Sequence, residues 1–161
     1  MITRVADFAR YFKSVRERTL RFLDPIPPEQ IDFAPYPGKF TLGGLIRHLA
    51  SSERMFAEVA LSGRWAYPGH GPELGATKDE AVAYLMAAHA EATARLRDLP
   101  DESLHEKRPT PDGRAVSAWR LLMLMPEHEI HHRSQVSQYL IALGIQPPQI
   151  FGMRWEHMPK A

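Results

Sequence analysis

His128-Glu129-Ile130-His131-His132-Arg133-Ser134-Gln135-Val136, set in the largely apolar run from Leu121 to Leu143, is the stretch whose reading decides the fold. Spelled His-Glu-x-x-His, it matches the zinc-protease helix, where histidines four apart stack on one face, grip one ion, and leave the glutamate to activate water. Its flanks give a different reading. From Ser117 onward, Leu121, Leu124, His128, His132, Gln135, Val136, Tyr139 and Leu143 recur at helical spacing until Gly144, and Pro147-Pro148 prevents continuation. With His128 at zero, His132 lies at about +40° and Gln135 at about −20°, on one face, while His131 falls at about −60°, on its edge. Pro126 has no N–H to give Leu122, which predicts a kink before the first histidine.

A protease needs a third ligand downstream. Where the metzincin pattern continues with Gly and His, this chain has Gln135 and Gln138, and the remaining carboxylate, Glu156, follows Pro147-Pro148 on a short tail. There is no strand pattern to supply a sheet for an extended peptide. The zinc-protease meaning is therefore set aside, and Glu129 reads either as a residue that orients a ligand histidine or accepts a proton, or as an ordinary helix polar residue.

Three further segments share the helical period. Val5, Phe8, Phe12, Val15, Thr19 and Phe22 make one amphipathic helix from about Ile2 to Leu23, stopped by Asp24-Pro25-Ile26-Pro27-Pro28. Thr41 is a plausible N-cap for a second helix running to about Leu61 through Leu45, His48, Leu49, Ser52, Met55, Phe56 and Val59. Thr77-Lys78-Asp79-Glu80 fits a capping box, with Val82, Leu85, Met86, His89, Thr93 and Leu96 following until about Leu99. Between these helices, residues 63–76 form a long loop rich in Gly and Pro that also carries Trp65, Tyr67 and His70. Loops of this length commonly cover a site. Residues 100–114 read as a turn or small hairpin. The tail from Gln149 keeps Phe151, Met153 and Trp155, expected to fold back on the body or meet a partner. The expectation is an all-α four-helix bundle with long connections, spanning residues 1–161 as one domain.

Composition narrows the chemistry. With no cysteine among 161 residues, thiolate ligands, disulfides, iron-sulfur clusters and a cysteine nucleophile are all excluded. Any metal must sit on histidine and carboxylate. Twenty Lys plus Arg against 19 Asp plus Glu give a formal charge of +1, which makes no case for nucleic acid. No run approaches the ~20 apolar residues of a bilayer span, and Arg4, Asp7 and Arg10 interrupt the first twelve residues, unlike a signal peptide. A cytoplasmic protein is expected.

His48 projects from the inward stripe of the second helix, between Leu45 and Ser52. Joined with His128 and His132 across a bundle core, it makes a three-imidazole set that suits zinc, nickel, iron or copper and leaves coordination positions open. His89, alone on an apolar face, reads as a core residue bonded to a neighbour; His70, His105 and His157 read as solvated or local contacts. Arg47 and Arg133, each beside a ligand, read equally as contacts for an anionic cofactor or as surface charge. Gln135, one turn beyond His132, reads as a partner for a group on the ion or as a plain helix residue.

Thr41-Leu42-Gly43-Gly44-Leu45-Ile46-Arg47-His48-Leu49, then His128 to Gln135, then Leu140-Ile141-Ala142-Leu143-Gly144-Ile145-Gln146-Pro147-Pro148, resembles the DinB/YfiT-like superfamily, collinearly and over nearly the whole chain. The one departure noted is Ser134, where glycine is frequent. The resemblance implies a four-helix bundle, often a homodimer, with His48, His128 and His132 as ligands to a divalent metal, usually zinc or nickel. It also implies a small-molecule substrate and, for members with an assigned reaction, either metal-dependent hydrolysis or transfer of a low-molecular-weight thiol such as bacillithiol or mycothiol. Glu129 and Gln135 are the candidate catalytic residues, and a non-catalytic metal-binding dimer of the stress response is the rival reading.

Overall fold

The computed structural model describes residues 2–153, 155–157 and 159. Four helices dominate: α1 (Val5–Leu23), α2 (Leu42–Ser62), α3 (Lys78–Arg97) and α4 (Ala118–Ala142). The expected caps form. The Thr41 hydroxyl accepts from the Gly44 N–H at 2.9 Å, and Thr77 and Glu80 complete the reciprocal capping box. Gly63 ends α2 at φ +79°, a left-handed conformation in which a side chain would be strained. The first helix starts later than its apolar pattern suggests, at Val5, whose N–H donates to Asp101 Oδ1 at 2.8 Å.

α4 runs unbroken through Pro126, which is buried. Residues 100–114, expected as a turn or hairpin, hold a 3₁₀ turn and the start of an antiparallel pair, β1 (Lys107–Pro109) with β2 (Ala115–Ser117), in which Arg108 lies opposite Val116. Of the two courses expected for the tail, Phe151 and Met153 do not take the return to the body. Phe151 is 84 % exposed and Met153 51 % exposed, so neither returns to the body, and the side chain of Trp155 lies outside the described residues. After Gly144 and Pro147-Pro148 the chain has no helical stripe to aim these side chains inward.

α2 packs against α3 and α4, and α1 against α4 and α3. The helices therefore stand in a square in which α1 and α2, consecutive in the chain, occupy opposite corners. Residues 24–41 cross the end of the bundle to join them. This brings α2 and α4, the two histidine-bearing helices, side by side. The inward face of α3 is Ala81, Leu85, Ala88, Ala92 and Leu96, while Met86, expected inside, is 40 % exposed. Small residues on this face let α3 lie close to α2, and a stripe of alanines is weak against larger apolar neighbours when read by size alone.

The core is in two parts. One cluster gathers Phe22, Leu23, Leu42, Leu45, Ile46, Leu85 and Leu140 at one end of the bundle; the other gathers Phe8, Phe12, Val15, Phe56, Leu96, Leu121 and Leu122 at the other end. Each such side chain contributes about 1.5–3 kcal/mol by leaving water. The waist between the two clusters is polar, and the three histidines His48, His128 and His132 and the ion pairs of Arg16 lie there.

Candidate metal centre

On the side of the waist where α2 meets α4, the Nε2 atoms of His48 and His132 each lie 3.0 Å from Nε2 of His128. The three ligand atoms fall within 4.8 Å of one another. The far nitrogens of His48 and His132 are held. Nδ1 of His132 donates to the Gln135 carbonyl oxygen at 2.7 Å, and Nδ1 of His48 lies 2.6 Å from the Tyr67 hydroxyl, which is 2.8 Å from Nδ1 of His70. A hydroxyl has one proton to give. With the His48 Nδ1–H donating to Tyr67, the Tyr67 O–H donates to His70, and Nε2 of His48 is left as a bare lone pair.

That assignment tests whether a cation fits. Nε2 of His48 and Nε2 of His132 are then both acceptors, and an N–H on His128 Nε2 satisfies at most one of them. Three nitrogens converge with more lone pairs than protons, which is the donor set of a divalent ion bound by neutral imidazoles. The electrostatics agree. Burial, then the neighbouring His132 and His70, push the pKa of His48 down from 6.5 to about 4. Burial, then His132, His48 and His131, push His128 down to about 3. Burial also lowers His132, against the hydrogen bond it donates to Gln135, which raises it. All three are uncharged at neutral pH and ready to ligate.

Aromatic rings wall the site. Phe40 stacks on His48 with centroids 4.9 Å apart, and Phe56 meets His128 edge-on at 5.8 Å. The 63–76 loop, expected over a site, does fold here and supplies Tyr67 and His70. His70 is thus part of the site's edge, where the sequence suggested a solvated loop residue. Arg47 is not surface charge: it is buried, and its Nε and Nη1 donate to the carbonyls of His70 and Gly75 at 2.9 and 2.7 Å. It clamps the loop down. Gly43 gives that guanidinium room, since a Cβ there would sit 2.8 Å from Arg47 Nη1 and 2.9 Å from Ile31 Cγ1. Asp112 and Arg114 pair with each other on the exposed hairpin turn. Trp65 instead donates its indole N–H to the Pro109 carbonyl and ties the loop to β1.

Glu129 is not brought to the histidines. One residue on from His128, and so about 100° around α4, its carboxylate enters the core and takes Arg16 in a fork, with Nη2 at 2.7 Å and Nε at 3.1 Å from both oxygens. The expected part of Glu129 in orienting a ligand histidine is filled by Gln135, which meets His132 directly. Arg16 Nη2 also reaches Glu53 at 2.6 Å, Nη1 donates to the Leu85 carbonyl at 3.2 Å, and His89 Nδ1 donates to Glu53 at 2.9 Å. One buried network thereby joins all four helices. Burial pushes the Arg16 pKa down, but Glu53 and Glu129 overcome this and hold it above its ordinary value. His89 is, as expected, a core histidine bonded to a neighbour. Arg16 and Glu53 were missed, although Arg16 sits four residues after Phe12 and three before Thr19, inside the apolar stripe, where an arginine demands partners.

Comparison with known proteins follows the same line. The model of the DinB superfamily matches residues 11–136. YjoA of Bacillus subtilis is 28 % identical over 137 residues, covering 83 % of this chain and 87 % of that one. Its crystal structure superposes with a TM-score of 0.72 at 24 % identity, over 89 % of this chain and 96 % of YjoA. Bacillus subtilis YfiT, described as a probable metal-dependent hydrolase with an unusual four-helix bundle topology, gives 0.69 at 18 % identity over 88 % and 89 %. A mycothiol-dependent maleylpyruvate isomerase gives 0.51 at 20 % identity, over 84 % of this chain and 63 % of the larger protein. With the matching bundle and the family model spanning most of its length, the chain belongs to the DinB superfamily.

Proposed function

We propose that the protein is a divalent-metal-dependent enzyme in which His48, His128 and His132 hold the ion, zinc or nickel, and that it transfers a low-molecular-weight thiol to a small electrophile. The observation that carries this reading is the convergence of three neutral Nε2 atoms, with the outer nitrogens of His48 and His132 already engaged. A bound divalent ion supplies Lewis acidity, which makes a thiol or a water nucleophilic at neutral pH. Gln135 and Tyr67 act through the histidines: Gln135 accepts the Nδ1 proton of His132 and so keeps its Nε2 bare, and Tyr67 holds Nδ1 of His48 and so orients its ring. Phe40 and Phe56 keep water from the rings. Glu129 serves by locking α4 against α1 through Arg16, which fixes the angle at which His128 and His132 meet His48.

In the transfer, a sulfur–carbon bond forms as the thiol gives up its proton, and the leaving group departs with its electron pair. Thiol dependence is supported by the fold shared with the mycothiol-dependent isomerase. Hydrolysis of a small substrate is the second reading, supported by the description of YfiT. We place the protein in the cytoplasm as a homodimer of single-domain chains; among the described residues no helix is long and apolar enough to cross a membrane.

The test is to incubate metal-loaded protein and its His128→Ala variant with a small alkylating electrophile, with and without bacillithiol, mycothiol or glutathione, and to follow adducts by mass spectrometry. Thiol adduct formed faster by the wild type than by the variant supports transfer. Turnover that ignores the thiol overturns it in favour of hydrolysis, and no metal-dependent turnover with any thiol or with water leaves the non-catalytic metal-binding reading.

A further inference from the structure

The face of α4 turned away from the histidines holds a second constellation. Arg133 and Ser137 lie at about 140° and 180° around the helix from His128, and they line a cavity of about 360 Å³ between α4, the end of α1 and the segment after Gly144. Arg133 is only 6 % exposed, and its Nη1 is sealed from solvent with no hydrogen-bond partner among the described residues. Its guanidinium carbon sits 5.9 Å from the ring of Phe22, which lines the same cavity, so the charged end of the side chain is at the cavity wall.

A buried guanidinium nitrogen without an acceptor is costly, and such groups ordinarily find a partner. The nearby carboxylate, Glu129, is taken by Arg16. Of the other groups that act on Arg133, Arg18 and Arg21 of α1 oppose its charge and Tyr11 and Glu129 favour it; neither Arg18 nor Arg21 has an ion pair among the described residues. Arg133 therefore brings a buried positive charge and an unmet donor to the cleft wall. Around them the walls combine the apolar Ile130, Ile141 and Ile150 with the polar Ser134, Gln146 and Gln149.

We propose that this cleft binds an amphipathic monocarboxylate, a small molecule whose acid group meets Arg133 and Ser137 and whose apolar body lies along the three isoleucines. One guanidinium edge and a hydroxyl match the two oxygens of a carboxylate. The three isoleucines disfavour a strongly hydrated dianion such as phosphate, and the volume suits a chain or ring of modest size. The site stands on the opposite side of α4 from the metal centre and does not depend on the function proposed for that centre.

Isothermal titration of the full chain with octanoate, 1-octanol and inorganic phosphate tests it. Octanoate should bind at least tenfold more tightly than octanol or phosphate. Arg133→Gln should remove that preference while leaving octanol binding unchanged, and Ser137→Leu, which fills the cleft without touching the charge, should abolish binding of octanoate. His128→Ala should leave octanoate binding intact. Equal binding of octanoate and octanol, an Arg133→Gln protein that keeps the preference, or octanoate binding lost with His128→Ala overturns the proposal. So does a chain that fails to bind octanoate and proves by sedimentation to be a dimer broken by Ser137→Glu, since the cleft is then an interface between copies. If Arg133→Gln does not fold, Ser137→Leu and the His128→Ala control decide alone.

Discussion

Two polar clusters share the waist of this bundle, and neighbouring residues of one helix feed them. His128 turns to the histidine site and Glu129 to the Arg16 network. The histidine site is uncharged, bordered by a loop, and has more lone pairs than protons. The Arg16 network is ionic, sealed in the core, and its donors are met by Glu53, Glu129 and the Leu85 carbonyl. The first is built to take something from outside; the second is built to be complete. A His-Glu-x-x-His string is thus divided between a binding role and a structural one, and the division is set by a rotation of about 100° from one residue to the next.

The sharpest way to break this contrast is to remove the hub of the closed cluster. Arg16→Met leaves Glu53 and Glu129 buried without a cation. We expect a loss of about 3–5 kcal/mol in denaturant unfolding, whereas His128→Ala should cost the metal-free protein far less. If the two variants are equally destabilised, the clusters do not differ as described.

A smaller effect probes the open cluster. Gln135→Leu and Tyr67→Phe each remove an acceptor or weaken the bond that orients a ligand histidine. Loss of such support typically weakens metal affinity about 10–100-fold, and we expect a shift in that range for Gln135→Leu by competition with a chromophoric chelator, with helicity unchanged. Unaltered affinity would mean that the histidines hold their orientation without help.

The smallest effect is on pH. Folded His48 and His128 titrate at about 4 and about 3, against 6.5 for the free side chain. Below pH 6.5 the unfolded chain takes up protons that the folded chain refuses, so the stability of metal-free protein should be level above pH 6.5 and fall as the pH drops toward 4 and then 3. His128→Gln should flatten part of that fall in thermal melts recorded across the range. A slope unchanged by the substitution would place the titrating groups elsewhere.

Much of this was legible in the chain before its structure. The four helices were, because Val5 to Phe22 and Leu121 to Leu143 keep a helical period over many turns and Thr41 and Thr77 supply caps at their starts. The three histidines were too, since each sits on an inward stripe. What was not legible depends on long-range packing. Nothing local places α1 diagonal to α2, so the partners of Arg16 on α2, α3 and α4 could not be named from their spacing. His70 looked like a loop residue because its role comes from the Arg47 clamp that folds the loop over His48. Phe151 and Met153 stay off the body although they are apolar, because no helical stripe carries them inward.

The central claim is that His48, His128 and His132 together hold one ion. Elemental analysis of untagged wild-type protein and of His48→Ala, purified side by side and checked for fold by circular dichroism, tests it most directly. We predict close to one equivalent of zinc or nickel per wild-type chain and almost none in His48→Ala. Wild-type protein that stays metal-free after incubation with either ion, or a folded His48→Ala protein that keeps its full equivalent, would contradict the account.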